Sequence, residues 1–343
     1  MFKKSFLVPL LIVLLGGVTS AFCAEPIKPI ELKLGDWNPP KAGVAQITQK
    51  MADMIGAKSG GRLKITVYTG ESLVKMVEVF RGVQTGVVDI AYCTTAVIGS
   101  PLELNKVTSL PFIGITSMEM ASAVHEKLFS QSPEVRAEFK GLKVLGFRGM
   151  PLYHGHFVKK EVHVPTDIKG MKLISAGAWV DIVSEVGGAP VSLGIGDWYM
   201  SLERGVVEGH FVHFPVTYVF KTLDLFKYHT MFGGGAATTP DCFIFNLDVW
   251  NSLPADLQKV IEDAIRWRTA EITKFDYEEE QRAIDYAKSK NHTFIYLTPE
   301  EIKLWVDAAK PAHEKWIANS NAKGLPARKI YEEAQRIIKE YTK

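Results

Sequence analysis

The sequence predicts an α/β chain folded as two lobes, with one long helix spanning both. Three observations predict it. Strand-like and helical periods alternate through the first two-thirds, a helix, glycine, strand pattern at 76 to 92 recurs at 198 to 213, and one unbroken helical period runs from 254 to 290.

The opening "MFKKSFLVPLLIVLLGGVTSAFCAEP" carries two lysines, an apolar run from Phe6 to Val18 and then small residues. This is the pattern of an export signal, with cleavage expected after Cys23 and, as second choice, after Ala21. Roughly 320 residues then remain, more than one core normally serves. Lys3 and Lys4 leave with the signal, so the 40 basic and 38 acidic residues become balanced, and a neutral chain has no general pull on nucleic acid or anionic membrane. No later run reaches the ~20 apolar residues that cross a bilayer. The mature chain is expected to be soluble in the periplasm, without stable membrane insertion and as a monomer.

"IELKLGDW" (30 to 37) alternates like a strand, 43 to 61 has helical spacing that stops on glycine, and "RLKITVYTG" (62 to 70) is a second strand, which together make a βαβ unit. Residues 76 to 95 repeat helix, glycine and buried strand. "GLKVLGFRG" (141 to 149) and "GMKLIS" (170 to 175) read as strands, and 178 to 193 as a helix closed by two glycines before another strand. The stretch 254 to 290 would extend ~54 Å as a helix, longer than either lobe buries alone. "HTFIYL" is a further strand, and helices follow Pro299 and Pro326. The division expected is a signal at 1–23, a first lobe from 24–148 and 237–270, and a second from 149–236 and 271–343, joined by short ordered crossings. Cys93 and Cys242 lie in apolar, strand-like runs, where buried free thiols are expected although the compartment permits a disulfide.

No phosphate loop, nucleophile elbow or complete dinucleotide fingerprint is present; "GIGDWY" lacks the third glycine. His154-x-His156 and His210-x-x-His213 could meet around zinc, yet no cysteine or acid stands beside them at the usual spacing. Neither a metal nor a cofactor nor catalysis is expected. What stands out is aromatic and polar residues at strand ends and turns: Trp37 and Asn38, Tyr92 with Thr94 and Thr95, Phe112, Tyr153, His154, His156, Trp179, Trp198, Tyr199, His213 and Phe214. In open α/β sheets ligands bind beyond the carboxyl ends of strands, which points to a shared cleft. Any one of these rings is equally at home in a core.

The ordered segments "GDWNPPKAGVAQITQKMADMIGAKSGGRLKITVYTGESL", "GVQTGVVDIAY", "LPF", "VPTDIKGMKL", "GGAPVSL", "YMSLERGVVEGH" and "NLDVWNSLPADLQKVIEDA" resemble, across nearly the whole mature chain, the extracytoplasmic solute-binding proteins of TRAP transporters, the DctP type. The resemblance implies the two-lobe periplasmic solute-binding fold, each lobe a mixed sheet flanked by helices, closing over one small organic solute, and delivery to small and large membrane subunits. It also exposes departures. An arginine that pairs with the substrate carboxylate in much of the family is matched by Ile174, a second by Tyr153 or its neighbours, and a frequent asparagine by Val212, followed by His213. The ridge 170 to 179 is then one wall of the cleft without its usual clamp. Either an organic acid is held elsewhere, for instance by Arg148 or Arg81, around an apolar or aromatic body, or a cationic or neutral solute rests on Trp179, Trp198 and Tyr199. A receptor for an ABC importer or a sensor, and a secreted metal-dependent enzyme, are the rival classes.

Overall fold

The computed structural model describes Met1, residues 28–95 and residues 101–342, so the expected export signal lies, Met1 apart, outside the described residues. Its strands are β1 (Ile30–Gly35), β2 (Leu63–Tyr68), β3 (Ile90–Thr94), β4 (Leu142–Gly149), β5 (His154–Phe157), β6 (Lys172–Ile174), β7 (Ala189–Val191), β8 (Gly209–Val212), β9 (Tyr228–Met231), β10 (Pro240–Asn246) and β11 (Thr293–Tyr296). They form two sheets, ordered β2-β1-β3-β10-β4 and β11-β9-β5-β8-β6-β7. In the first, β1 runs parallel to β2 and β3, and β10 returns antiparallel between β3 and β4. In the second, β5 is antiparallel to β8 and β9 while the outer pairs are parallel.

The long helix is Ala255–Ser289, 35 residues. Its first half puts Leu257, Ile261, Ala264 and Ile265 into the core beneath the first sheet with Leu34, Ile55 and Phe243. Its last turns put Ala283 and Ala287 against Phe214 and Leu223 in the second lobe. One helix thus serves two cores, which its length required. The final helix, Ala327–Tyr341, does not join the second lobe as 271–343 was expected to do. Its Ile330, Ala334 and Ile337 pack with Val124 and Leu128 of the helix Met118–Gln131, which itself lies on β4. An amphipathic helix goes to whichever apolar face is open to it, and here that face belongs to the first lobe.

Two segments cross between the sheets, 150 to 153 and 232 to 239, and they hydrogen-bond to each other: Tyr153 N to the Ala237 carbonyl at 2.8 Å, Ala236 N to Tyr153 at 2.9 Å, and Thr238 Oγ1 to Met150 at 2.6 Å. Where β4 ends, Gly149 is obligatory, because a Cβ there would stand 2.5 Å from the Met118 carbonyl oxygen. Cys93 and Cys242 oppose each other across β3 and β10 as buried free thiols, Sγ to Sγ 3.7 Å.

Candidate functional site

A cavity of about 160 Å³ lies between the lobes. On the first-lobe side β1 ends in Asp36-Trp37-Asn38, where Asp36 Oδ1 accepts from Asn38 N at 2.8 Å and from its side-chain Nδ2 at 2.7 Å. This turn sets the Trp37 ring on the cavity, stacked on Tyr92 with centroids 6.1 Å apart. The indole Nε1 of Trp37 is buried with no hydrogen-bond partner among the described residues. The helix Gly43–Lys58 opens on the cavity through Ala42, Gly43 and Val44, with no acidic residue in its first turn and no side-chain cap. Gly43 is needed because Phe275 of the long helix closes on it; an added Cβ would meet that ring at 2.2 Å. Ile195, Pro215, Val216, Val219 and Phe220 make the opposite, second-lobe wall.

The floor is charged. Arg148, at the end of β4 and 2% exposed, donates from Nε to both oxygens of Asp241 at 3.3 and 3.1 Å, and from Nη2 to Asp241 Oδ2 at 2.5 Å and to Tyr92 Oη at 3.0 Å. Its Nη1 donates to Asp276 of the long helix, and Tyr92 donates its hydroxyl to Asp241. Burial alone would lower the pKa of Arg148, but the charge of Asp241, with Tyr92 and Asp276 behind it, holds it well above the usual arginine value. Burial pushes Asp276 upward against the pull of Arg148. One turn on, burial and then Asp276 lift Glu280 to about 7. Arg268 lies face-on over Tyr92 and Phe243, at 4.3 and 4.6 Å, and its Nε donates to Thr48 Oγ1 at 3.0 Å.

Five of the residues singled out from the sequence line the cavity: Trp37, Asn38, Tyr92, Arg148 and His213. His213 caps the short helix Phe214–Val219, its Nδ1 accepting from Val216 N at 3.3 Å, and burial depresses it to about 3. The others lie elsewhere. Thr94 sits on β3 opposite Asp241, and Tyr153 Oη lies 3.4 Å from Thr239 Oγ1 in the crossing. Trp179 is stacked on Phe211 at 4.2 Å within the second-lobe core, with Phe112 at its edge. Trp198 donates from Nε1 to the Leu193 carbonyl at 3.3 Å and meets His210 edge-on, and Tyr199 follows it, half-buried, on the same short helix. Phe214 is fully buried between His156 and Phe294.

No residue from 170 to 179 lines the cavity, so the ridge is not its wall. Ile174 points into an apolar cluster with Leu202, Val207 and Phe226, and strand register makes it the start of a row. Across β6, β8, β5, β9 and β11 the directly opposed residues are Ile174, His210, His156, His229 and Phe294. His156 Nε2 donates to the Val212 carbonyl at 3.0 Å, which makes its Nδ1 an acceptor for His229 Nδ1 at 2.8 Å. His229 Nε2 then accepts from His292 Nδ1 at 3.0 Å. His154 Nδ1 accepts from Phe232 N at 3.4 Å, and burial lowers its pKa to about 4. His156, His229 and His292 are thus linked by hydrogen bonds, while His154 and His213 accept from backbone N–H groups, and among the described residues no group of three or more His, Cys, Asp or Glu side chains is placed to hold a metal ion.

Asp241, Asp276 and Phe275 were missed from sequence. Asp276 and Phe275 sit mid-helix in a charged stretch that looks like a solvated face, and nothing local marks them. Asp241, beside Cys242 in a strand-like run, carried a weak signal as a carboxylate in an apolar segment.

The arrangement has known counterparts. The C4-dicarboxylate-binding periplasmic protein DctP of Rhodobacter capsulatus is 24% identical over 88% of this chain and 90% of its own. A TRAP periplasmic solute-binding protein from Desulfovibrio salexigens superposes with a TM-score of 0.80 at 26% identity, covering 92% of this chain and 97% of that one. A marine metagenome TRAP solute-binding protein specific for aromatic acid ligands, in complex with metahydroxyphenylacetate, gives a TM-score of 0.82 at 23% identity over 92% of this chain and 100% of that one. The model of the bacterial extracellular solute-binding proteins, family 7, matches residues 34–319, and with two lobes around one cavity the chain belongs to this family, the DctP type of TRAP solute-binding protein.

Proposed function

We propose that this protein is the periplasmic receptor of a TRAP transporter, that it catalyses no reaction, and that it carries a small organic acid with an apolar or aromatic body to small and large membrane subunits. The cavity supports this reading most directly. At about 160 Å³ it is close to the ~150 Å³ that accepts benzene in an engineered protein cavity, and both lobes face it with apolar side chains. The Trp37 indole N–H and the uncapped first turn of the Gly43–Lys58 helix add donors suited to an anion's oxygens. The resemblance to a protein specific for aromatic acids points the same way. The hydrogen-bonded crossings are suited to a hinge that lets the walls close.

A second reading has one observation in its favour: Asp276 and Glu279 line the cavity while Arg148 is already paired, which suits a cationic or neutral solute. Native mass spectrometry of protein purified from a bacterial periplasm, with a thermal-shift panel of monocarboxylates and amines, separates the two. A retained or stabilising carboxylate is expected. An amine or neutral solute in its place would establish the second reading, and no response to any solute would leave the rings purely structural.

A further inference from the structure

We propose that the solute's carboxylate takes the place of Asp276 on Arg148, and that the site takes up one proton as it does so. The inference rests on the reading above, an organic acid in this cleft. A guanidinium has five N–H donors. Four are committed here: Nε to Asp241, two on Nη2 to Asp241 and Tyr92, and one on Nη1 to Asp276. The single N–H left over cannot grip a carboxylate at two points, so a partner must leave.

The two partners are unequal. Asp241 is 1% exposed, lies inside the first sheet between β3 and β4, and is held by Nε, by Nη2 and by the Tyr92 hydroxyl. Asp276 lines the cavity beside Arg148 and accepts from Nη1 alone of its donors. Asp276 is therefore the exchangeable one. Three ionised carboxylates around one guanidinium would leave net negative charge in a closed, poorly solvated cleft, at high cost. A proton taken from solvent onto an Asp276 carboxyl oxygen removes that charge, and no bond to the solute is made or broken. Burial already favours the neutral form of Asp276, and departure from Arg148 removes the larger of the two interactions that oppose it, the other being the charge of Arg268. Asp276 is faced by Arg148 on β4, Asp241 on β10 and Tyr92 on β3, and on its own helix by Arg268, Glu279 and Glu280; His154 on β5 stands 3.8 Å from Glu280, and His213 after β8 lies near Arg148.

The test is titration calorimetry of the full chain at pH 6, 7 and 8, in phosphate and in Tris, with benzoate or the monocarboxylate that stabilises the protein most. Uptake of about one proton per solute is expected, with Kd rising up to tenfold for each pH unit across this range. In Asp276→Asn the uptake should vanish and the affinity at pH 8 should match that at pH 6. An acid that binds with no proton uptake and a flat Kd overturns the exchange while leaving the functional reading intact. Uptake that survives Asp276→Asn but is lost in Glu280→Gln or His213→Gln also overturns it, by moving the proton to another group. Should Asp276→Asn fail to fold, the buffer dependence of the unmodified protein and of those two variants still decides. If only amines bind, the functional reading fails and this inference with it.

Discussion

Both sheets bury a row of polar side chains, and they do so with different chemistry. At the cleft end of the first sheet Tyr92, Asp241 and Arg148 are joined across β3, β10 and β4, with Asp276 arriving from the long helix, and all but the neutral Tyr92 hydroxyl are charged groups. Across the second sheet His210, His156 and His229 occupy the matching central strands as neutral rings, enclosed by Phe214, Phe226 and Phe294. Both solutions satisfy buried donors and acceptors, but only the charged one can trade a partner with an ionised solute. The cleft accordingly has a charged floor in the first lobe and an apolar wall in the second, and the neutral histidine row links stability, rather than binding, to pH.

Breaking the charged side should have the largest effect. Arg148→Ala leaves Asp241 and Asp276 buried without their cation, which should cost about 3–5 kcal/mol in urea unfolding and abolish acid binding. A loss under 1 kcal/mol would mean that the floor does not depend on this network. Trp179→Ala should cost a similar ~3–5 kcal/mol in stability, yet leave the Kd of the folded fraction within twofold, because the ring packs on Phe211 and not on the cavity. A tenfold loss of affinity at unchanged stability would return Trp179 to the site.

The neutral side should answer to pH. His213, His210 and His229 are depressed to about 3 and His154 to about 4, mainly by burial, so below the unfolded value of ~6.5 the unfolded chain binds protons that the folded one refuses. Stability is then fully present above pH ~6.5 and falls as pH drops toward 4, by up to about 1.4 kcal/mol per unit for each ring. Urea midpoints at pH 7 and pH 5 measure this, and a flat profile would contradict neutral burial. The smallest effect belongs to the surface end of the row. His292→Ala removes the donor to His229 Nε2 where water can replace it, so about 0.5–1.5 kcal/mol is expected.

Much of the architecture is legible along the chain. The unit from β1 to β3 shows its periods plainly, and the long helix begins and ends within one residue of where its spacing places it. β5, β9 and β10 are harder to see, since each adjoins a crossing between the lobes and is defined by antiparallel partners far away in sequence, and β5 and β9 are only four residues long. At the site, Tyr92 is visible because it is a polar-tipped ring inside a short buried strand, and Trp37, Arg148 and His213 because each sits at or just beyond a strand end. Trp179 and Trp198 share that signal, but the second sheet turns them toward its own core.

By itself the sequence determines the class of molecule: an ordered run of family motifs and two α/β lobes. Only the tertiary structure decides what Arg148 does, because its partners lie 93 and 128 residues away, and Coulomb interaction depends on distance through space rather than along the chain. The same holds for Ile174, whose apolar surroundings come from strands and a helix that only the folded second sheet assembles.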